Sequence, residues 1–143
     1  SSDQAQSLNH TRWECKYHVV WIPKCRKKIL YGQVKKDLVV ELRELAIRKE
    51  SEILEGRLMV DHVHMLISIP PKYGVAQVVG FMKGKSAIWI ARMMGRQRNF
   101  MGQNFWARGY YVSTVGLEER ALRQYIAAQE EADRKLDQMR LFE

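Results

Sequence analysis

The sequence predicts a single α+β domain of ferredoxin-like type, in which helices pack on a mainly antiparallel sheet. Two observations carry this prediction. The hydrophobic pattern changes between strand-like and helix-like periods in the order β-α-β-β-α-β-α. The 143 residues contain no internal repeat, low-complexity tract or linker, and they suffice for one core. We therefore expect residues 1–143 to form one domain, with residues 1–10 disordered.

The first elements follow from β-branched and apolar spacing. Thr11–Ile22 is aromatic and β-branched and ends at Pro23, which predicts a strand buried in its second half. A helix is predicted from Gly32 to about Lys49, and Ser51–Met59 is predicted to be the next strand. The helix has a core-facing stripe at helical spacing, formed by Val34, Leu38, Leu42 and Leu45.

The next strand, Val60–Ile69, carries two of the four histidines and ends at Pro70. Because alternate side chains of a strand point the same way, one face is apolar and predicts core. That face holds Val63, Met65, Ile67 and Ile69. The other face places His62 and His64 side by side, within reach of one metal ion or one phosphate. Histidines that are merely packed and hydrogen-bonded are the structural alternative.

The second half of the chain repeats the alternation. A helix is predicted over Val75–Met94, a strand over Arg108–Val115 and a long helix from Glu118 to about Met139. The segment Asn99–Ala107 is predicted to be an irregular loop with three aromatic residues. These could stack on single-stranded bases or lie in the core, and for Trp106 we expect the core.

The charge distribution predicts a polyanionic partner. The net charge is +8, from 24 Lys and Arg against 16 Asp and Glu. No acidic residue lies between Asp61 and Glu118, whereas this segment holds Lys72, Lys83, Lys85, Arg92, Arg96, Arg98 and Arg108. Such a segment cannot neutralise itself by local ion pairs, so a nucleic acid is the natural partner. A generic solvated surface, the alternative, would normally interleave acidic residues.

Cysteine usage and hydropathy predict the compartment. Cys15 and Cys25 fit no zinc spacing and are too few for a disulfide framework, which favours reduced thiols. No apolar run approaches membrane-spanning length, and no signal-peptide pattern precedes Trp13. We therefore expect a cytoplasmic protein with no membrane partner.

The last helix supplies the remaining chemistry. Tyr125 and Gln129 lie four residues apart, so they share one helix face. A phenol, an amide oxygen, two imidazoles and a basic surface are the parts of a metal-dependent phosphodiester transesterase. A divalent ion would polarise the phosphate and stabilise the leaving O3′, and a tyrosine nucleophile would conserve the bond energy in a phosphotyrosine.

These residues resemble a known family. His62-Val63-His64 resembles the His–hydrophobic–His motif of HUH nucleases, and with Tyr125 and Gln129 the chain resembles a single-tyrosine HUH transposase of the insertion-sequence 200/605 class. The resemblance extends to the opening strand, the basic turn and the histidine strand, namely Tyr17–Lys24, Arg26–Lys28 and Val60–Leu66. It covers nearly the whole chain.

The resemblance implies the reaction and its participants. His62, His64 and Gln129 would bind Mg²⁺ or Mn²⁺, and Tyr125 would form a 5′-phosphotyrosine on single-stranded DNA. Proteins of this class are homodimers, recognise subterminal DNA hairpins and join strands; whether the tyrosine helix works in cis or in trans stays open. Candidates for reading the hairpin are Arg26, Lys27, Lys83 and Lys85. Magnesium prefers oxygen ligands, so a site with two imidazole ligands leaves manganese or another transition-metal ion as an alternative.

Two alternatives remain from the sequence. A domesticated relative would use the same chemistry to process chromosomal repeats. A non-catalytic nucleic-acid-binding module would use the histidines structurally and the sheet for base stacking. An RNA-recognition module is disfavoured because its aromatic signature is absent, Arg108-Gly109-Tyr110 matching only its first three residues.

Overall fold

A computed structural model describes residues 6–8, 11–24, 32–94 and 105–140. Their elements are β1 (Gln6–Leu8), β2 (Thr11–Trp13), β3 (Lys16–Trp21), α1 (Gly32–Arg48), β4 (Glu52–Leu58), β5 (Val63–Ser68), α2 (Val75–Met94), β6 (Tyr111–Ser113) and α3 (Glu119–Arg140). The predicted order of helices and strands is confirmed, with a short additional hairpin of β1 and β2 at the start.

The main sheet has four strands in the order β4-β5-β3-β6. Every pair of neighbours is antiparallel. This order and direction are those of a ferredoxin-like sheet, so the predicted α+β class is confirmed. Because the register is fixed, one row crosses all four strands through Arg57, His64, Val20 and Tyr111.

The larger core lies between one sheet face and the helices α1 and α2. The apolar side chains of the histidine strand that were predicted to face the core are all buried. In the predicted stripe of α1, Leu38, Leu42 and Leu45 are buried and Val34 is partly exposed. Buried side chains of this core include Val19, Trp21, Leu38, Leu42, Leu45, Val63, Met65, Ile67, Val78, Met82 and Ile90. Their removal from water is the main favourable term that holds the helices on the sheet.

A smaller core lies on the opposite face, where α3 packs. It contains Val20, Ile22, Ala107, Leu122 and Ile126, with Tyr111, Leu117 and Tyr125 packed against it. Side chains of β3 alternate between the two cores, since Val19 and Trp21 enter the larger one and Val20 and Ile22 the smaller one. The sheet therefore places α3 on the face that carries His62 and His64.

The structure corrects three details of the sequence prediction. The strand expected over Thr11–Ile22 is interrupted at Glu14 and Cys15, between β2 and β3. The expected disorder of residues 1–10 is wrong for Gln6–Leu8, which pairs with β2. The strand expected over Val60–Ile69 begins only at Val63, because the chain turns before it, with the Met59 N–H donating to His62 O at 2.9 Å.

The end of the aromatic loop that the structure describes, from Phe105, lies in the core. Phe105 and Trp106 are buried, and Trp106 donates its indole Nε1–H to Ser86 Oγ at 2.9 Å. Pro23 and Trp106 form an isolated bridge that anchors the loop to the end of β3. These two rings are therefore structural and do not form a base-stacking platform.

Candidate functional site

His62 and His64 lie on the sheet face that α3 covers in part. His62 is only 5% exposed, and His64 is half-buried. Val63 between them points into the larger core, as the strand alternation requires. His62, directly before β5, and His64 within it are therefore separated by one residue that points into the core.

His62 is oriented by its sequence neighbour. Its Nδ1 lies 2.7 Å from Asp61 Oδ1, and the other carboxylate oxygen of Asp61 lies 3.6 Å from Nη1 of Arg123. Arg123 also donates from Nε to Glu119 Oε1 at 3.0 Å. A carboxylate on Nδ1 leaves Nε2 of His62 available as a ligand, the arrangement common for metal-binding histidines. Sequence reasoning did not assign Arg123, whose only signal is its position two residues before Tyr125.

His64 has a second histidine beside it. Nδ1 of His18 lies 3.4 Å from Nε2 of His64, and the two ring centroids are 5.7 Å apart. Burial, followed by the positive charges of His18, His62 and Arg57, lowers the pKa of His64 below its usual value. A neutral imidazole is the form that binds metal ions. His18 was missed because only the register of β3 and β5 reveals it as a neighbour.

Tyr125 is held against the sheet by the smaller core. Its ring lies 5.7 Å from that of Tyr111, and its hydroxyl is buried without a hydrogen-bond partner. Burial raises the pKa of Tyr125 to about 12; the nearby Gln129 amide lowers it in part, although its geometry falls short of a hydrogen bond, and Asp133 adds to the increase. The phenol is therefore protonated and inaccessible in this position of α3.

Gln129 lies over the segment that leads into β6. A Cβ built on Gly109 would be 3.6 Å from Gln129 Nε2, and Gly109 has a φ of +79°, which glycine adopts without strain. Lys83 fastens this segment from α2, donating to Ala107 O at 2.9 Å and Gly109 O at 2.6 Å. Burial lowers the pKa of Lys83 to about 8.

The structure thus brings the predicted site residues to one face without joining them directly. Tyr125 and Gln129 share a face of α3, whereas His64 lies in β5 and His62 directly precedes that strand. The buried Tyr125 hydroxyl makes no hydrogen bond to either imidazole.

The donor set fits a divalent cation that keeps open positions. Within the described ranges, no three His, Cys, Asp or Glu side chains group as a metal site, so the histidine pair lacks a third ligand of those kinds. An amide oxygen such as that of Gln129, water and phosphate oxygens could complete the shell. A neutral His64 and an oriented His62 are the forms that such an ion would need.

The predicted DNA contacts differ in accessibility. Lys85 is exposed on α2, whereas Lys83 uses two of its three N–H donors on backbone carbonyls. Arg26 and Lys27 lie outside the described residues. No helix in the part of the chain that the structure describes is long and apolar enough to cross a membrane.

Comparison with sequence families gives one consistent result. The model of the family described as "Transposase IS200 like" matches residues 11–129. The transposase for insertion sequence element IS200 of Salmonella typhimurium is 41% identical over 135 residues, covering 94% of this chain and 89% of that relative. The ISDra2 transposase TnpA of Deinococcus radiodurans is 31% identical over 124 residues, covering 85% and 88%.

Solved structures show the same fold. A crystal structure of a candidate transposase from Deinococcus radiodurans R1 superposes with a TM-score of 0.76 at 29% identity, covering 88% of this chain and 98% of that one. A REP-associated tyrosine transposase bound to a REP hairpin superposes with a TM-score of 0.54 at 11% identity, covering 86% and 68%. The second likeness concerns the fold alone.

Proposed function

Because this chain belongs to the IS200-like transposase family, we propose that it cleaves and rejoins single-stranded DNA at the ends of a mobile element, with Tyr125 as nucleophile. The observation that carries the proposal is the shared sheet face. His62 and His64 stand on the face against which the helix of Tyr125 and Gln129 packs. No acidic residue interrupts the basic segment between Asp61 and Glu118, which suits an anionic substrate.

The reaction is a transesterification in which the chain's own residues have separate roles. Tyr125 Oη attacks the phosphorus, the phosphorus–O3′ bond breaks, the phenolic proton is lost, and the released strand carries a 3′-hydroxyl. His62, His64 and Gln129 would hold Mg²⁺ or Mn²⁺, whose chemistry is to polarise the phosphate and stabilise the leaving oxygen. A 3′-hydroxyl that attacks the 5′-phosphotyrosine restores Tyr125 and rejoins DNA without ATP.

The buried phenol indicates that the described position of α3 is a resting one. Tyr125 packs against the small core with its hydroxyl buried, and its raised pKa opposes ionisation. We propose that the chain acts as a homodimer, in which exchange or movement of α3 exposes Tyr125 beside a histidine pair. In the part of the chain that the structure describes, the small core holds three apolar side chains of α3, Leu122, Ile126 and Tyr125, and so small an apolar contact supports a helix that can be released.

A DNA hairpin is the proposed recognition element. The fold neighbour bound to a REP hairpin supports this class of partner. Lys85 is exposed and can contact the backbone, and Lys83 retains one donor for a phosphate. Arg26 and Lys27 remain candidates from the sequence.

The deciding experiment is a covalent-adduct assay. The protein is incubated with labelled single-stranded DNA carrying element ends and Mn²⁺ or Mg²⁺, and then separated on a denaturing gel. We expect a covalent protein–DNA band, and we expect EDTA or the Tyr125→Phe substitution to abolish it. Tyr73→Phe is the control, because the Tyr73 hydroxyl donates to Glu50 at an exposed contact, and this variant should keep the band. Binding without a band in the wild type would overturn the enzyme and favour a binding module.

The histidines are tested separately. His64→Ala should abolish the covalent band while hairpin binding persists, because the imidazole is proposed to act on the phosphate at the cleavage site. Equal loss of binding and cleavage would show that His64 holds the fold or the DNA. The domesticated alternative is distinguished by the DNA that flanks the gene: paired element ends support transposition, and scattered repeats support processing.

A further inference from the structure

A β-bulge in β4 turns two charged side chains toward the histidine face. The register of β4 against β5 shifts between Ile53 and Glu55. Ile53 is buried in the larger core, and strict alternation would send Glu55 and Arg57 to that same side. The extra residue reverses the alternation, so that Glu55 and Arg57 are exposed on the other face while Leu58 is buried.

The two redirected side chains border an open cleft beside His64. The cleft is lined by Glu55, Gly56, Arg57, His64, Met65 and Leu66 and has a volume of about 450 Å³. This volume lies in the range of sites that hold one small ligand, which is roughly 300–1,000 Å³. The cleft lies over β4 and β5, whereas the small core under α3 is built on β3 and β6.

Three of the lining side chains have a complement in a nucleotide. Arg57 is the direct cross-strand neighbour of His64, and its guanidinium can bind a phosphate through two parallel hydrogen bonds. Leu66, half-buried, offers an apolar contact for the face of a base. The Glu55 carboxylate is acceptor-only, and two adjacent donors match it best, as on the N1–H and N2–H₂ edge of guanine.

We propose that this cleft binds one nucleotide next to the scissile phosphodiester, with Arg57 on its phosphate, Leu66 against its base and Glu55 on the Watson–Crick edge of a guanine. The inference rests on the proposed function, because it takes His64 as the position of the reacting phosphate. Glu55 would then give the protein its own base preference at one position of the cleaved strand.

The test uses a panel of single-stranded substrates with each base in turn at every position near the cleavage site. We expect the initial rate of adduct formation to favour guanine about tenfold at one position, the discrimination of one good bidentate contact. Glu55→Gln should remove this preference by lowering the rate on the guanine substrate. Glu52→Gln, an exposed glutamate that precedes the bulge on the same strand, should keep it. Arg57→Gln should lower the rate for every base.

A binding readout separates this inference from the reaction. In Tyr125→Phe protein, 2-aminopurine at the position beside the cleavage site should change its fluorescence on binding, and Leu66→Ser should reduce that change. If adducts form but show no base preference that depends on Glu55, the inference is overturned and the proposed function stands. Failure to form any adduct, with the Leu66-dependent signal retained, would overturn the function alone.

A competing occupant is also testable. If the partner subunit covers the cleft, Glu55→Cys protein should be cross-linked to a second copy through a cysteine-to-amine reagent in the absence of DNA. That cross-link, undiminished when DNA is added, would overturn the nucleotide assignment. Cross-linking to a thiol-reactive group on the DNA strand, with none between copies, supports it.

Discussion

Asp61 Oδ1 lies 2.7 Å from Nδ1 of His62, and this contact fixes which imidazole nitrogen faces the proposed cation. A carboxylate on Nδ1 holds the proton there and leaves Nε2 as the ligand atom. The other carboxylate oxygen reaches Arg123 on α3 at 3.6 Å, so the same residue also contacts the helix of the proposed nucleophile.

Asp61→Ala should therefore weaken metal binding. Loss of an orienting carboxylate on a ligating histidine costs about 10- to 100-fold in metal affinity. Titration with Mn²⁺, followed by electron paramagnetic resonance of the free ion, measures this directly without DNA. Asp37→Ala is the matched control, because this α1 carboxylate accepts an exposed hydrogen bond from Gln33, and it should leave the affinity for Mn²⁺ unchanged. An unaltered affinity in folded Asp61→Ala protein would contradict an orienting role.

Tyr125→Phe should not destabilise the fold. The hydroxyl is buried without a hydrogen bond, so its removal relieves an unsatisfied group and keeps the ring contact with Tyr111. We expect the free energy of unfolding in urea to stay the same or rise by up to about 1 kcal/mol. A marked loss of stability would show that the hydroxyl has a partner in solution.

The Lys83 ammonium should make stability depend on pH. Burial lowers its pKa to about 8 from 10.5, so the folded chain binds fewer protons than the unfolded chain between those values. The contribution of Lys83 to the free energy of unfolding is therefore lowest below pH 8 and rises as the pH approaches 10.5. The two hydrogen bonds from its ammonium to backbone carbonyls favour the charged form, so they reduce the size of this rise. The difference in unfolding free energy between wild type and Lys83→Met should rise from pH 8 to pH 10. A flat difference would place the pKa near its ordinary value.

Lys85→Gln should weaken DNA binding evenly across sequences. Lys85 is exposed, so a phosphate contact by its ammonium would release about one counterion and contribute about 1 to the slope of log affinity against log salt. Fluorescence anisotropy with a labelled hairpin at several salt concentrations measures this slope. Lys35→Gln, an exposed lysine on α1 that is not among the predicted DNA contacts, is the control and should leave the slope as it is. An unchanged slope in Lys85→Gln would remove this residue from the interface.

Ser86→Ala should cost stability through Trp106. The serine hydroxyl accepts a hydrogen bond from the buried indole N–H of Trp106, and its loss leaves that donor unsatisfied at a cost of about 1–3 kcal/mol. Ser113→Ala, whose exposed hydroxyl contacts Val115, should change stability by less than about 0.5 kcal/mol. Equal effects of the two substitutions would show that a water replaces Ser86.

Sequence periodicity predicted how neighbouring residues of the site are arranged, but not which residues from distant parts of the chain approach them. Strand alternation is a property of neighbouring residues, so the common face of His62 and His64 could be read directly. His18 and Arg123 approach that face from other elements, and only strand register and the placement of α3 reveal them. Arg57 was hidden for a different reason, because a bulge breaks the alternation from which its side would be deduced.

The burial of Tyr125 was equally beyond the sequence. A tyrosine four residues before a glutamine fits either an exposed nucleophile or a packed ring, since both occupy an amphipathic helix. The structure places the ring 5.7 Å from that of Tyr111 and against the small core, so the packed arrangement is the one observed.

The single extra residue in β4 also determines which deletion the gene can tolerate. An in-frame loss of the codon for Leu54 would make Ile53 and Glu55 consecutive opposite Ile67 and Leu66, so the pairing would become regular and Glu55, Arg57 and Leu58 would keep their sides. A missense change at Leu54 likewise leaves both charges outside. Loss of this one residue should therefore be tolerated more readily than loss of a residue that has a cross-strand partner.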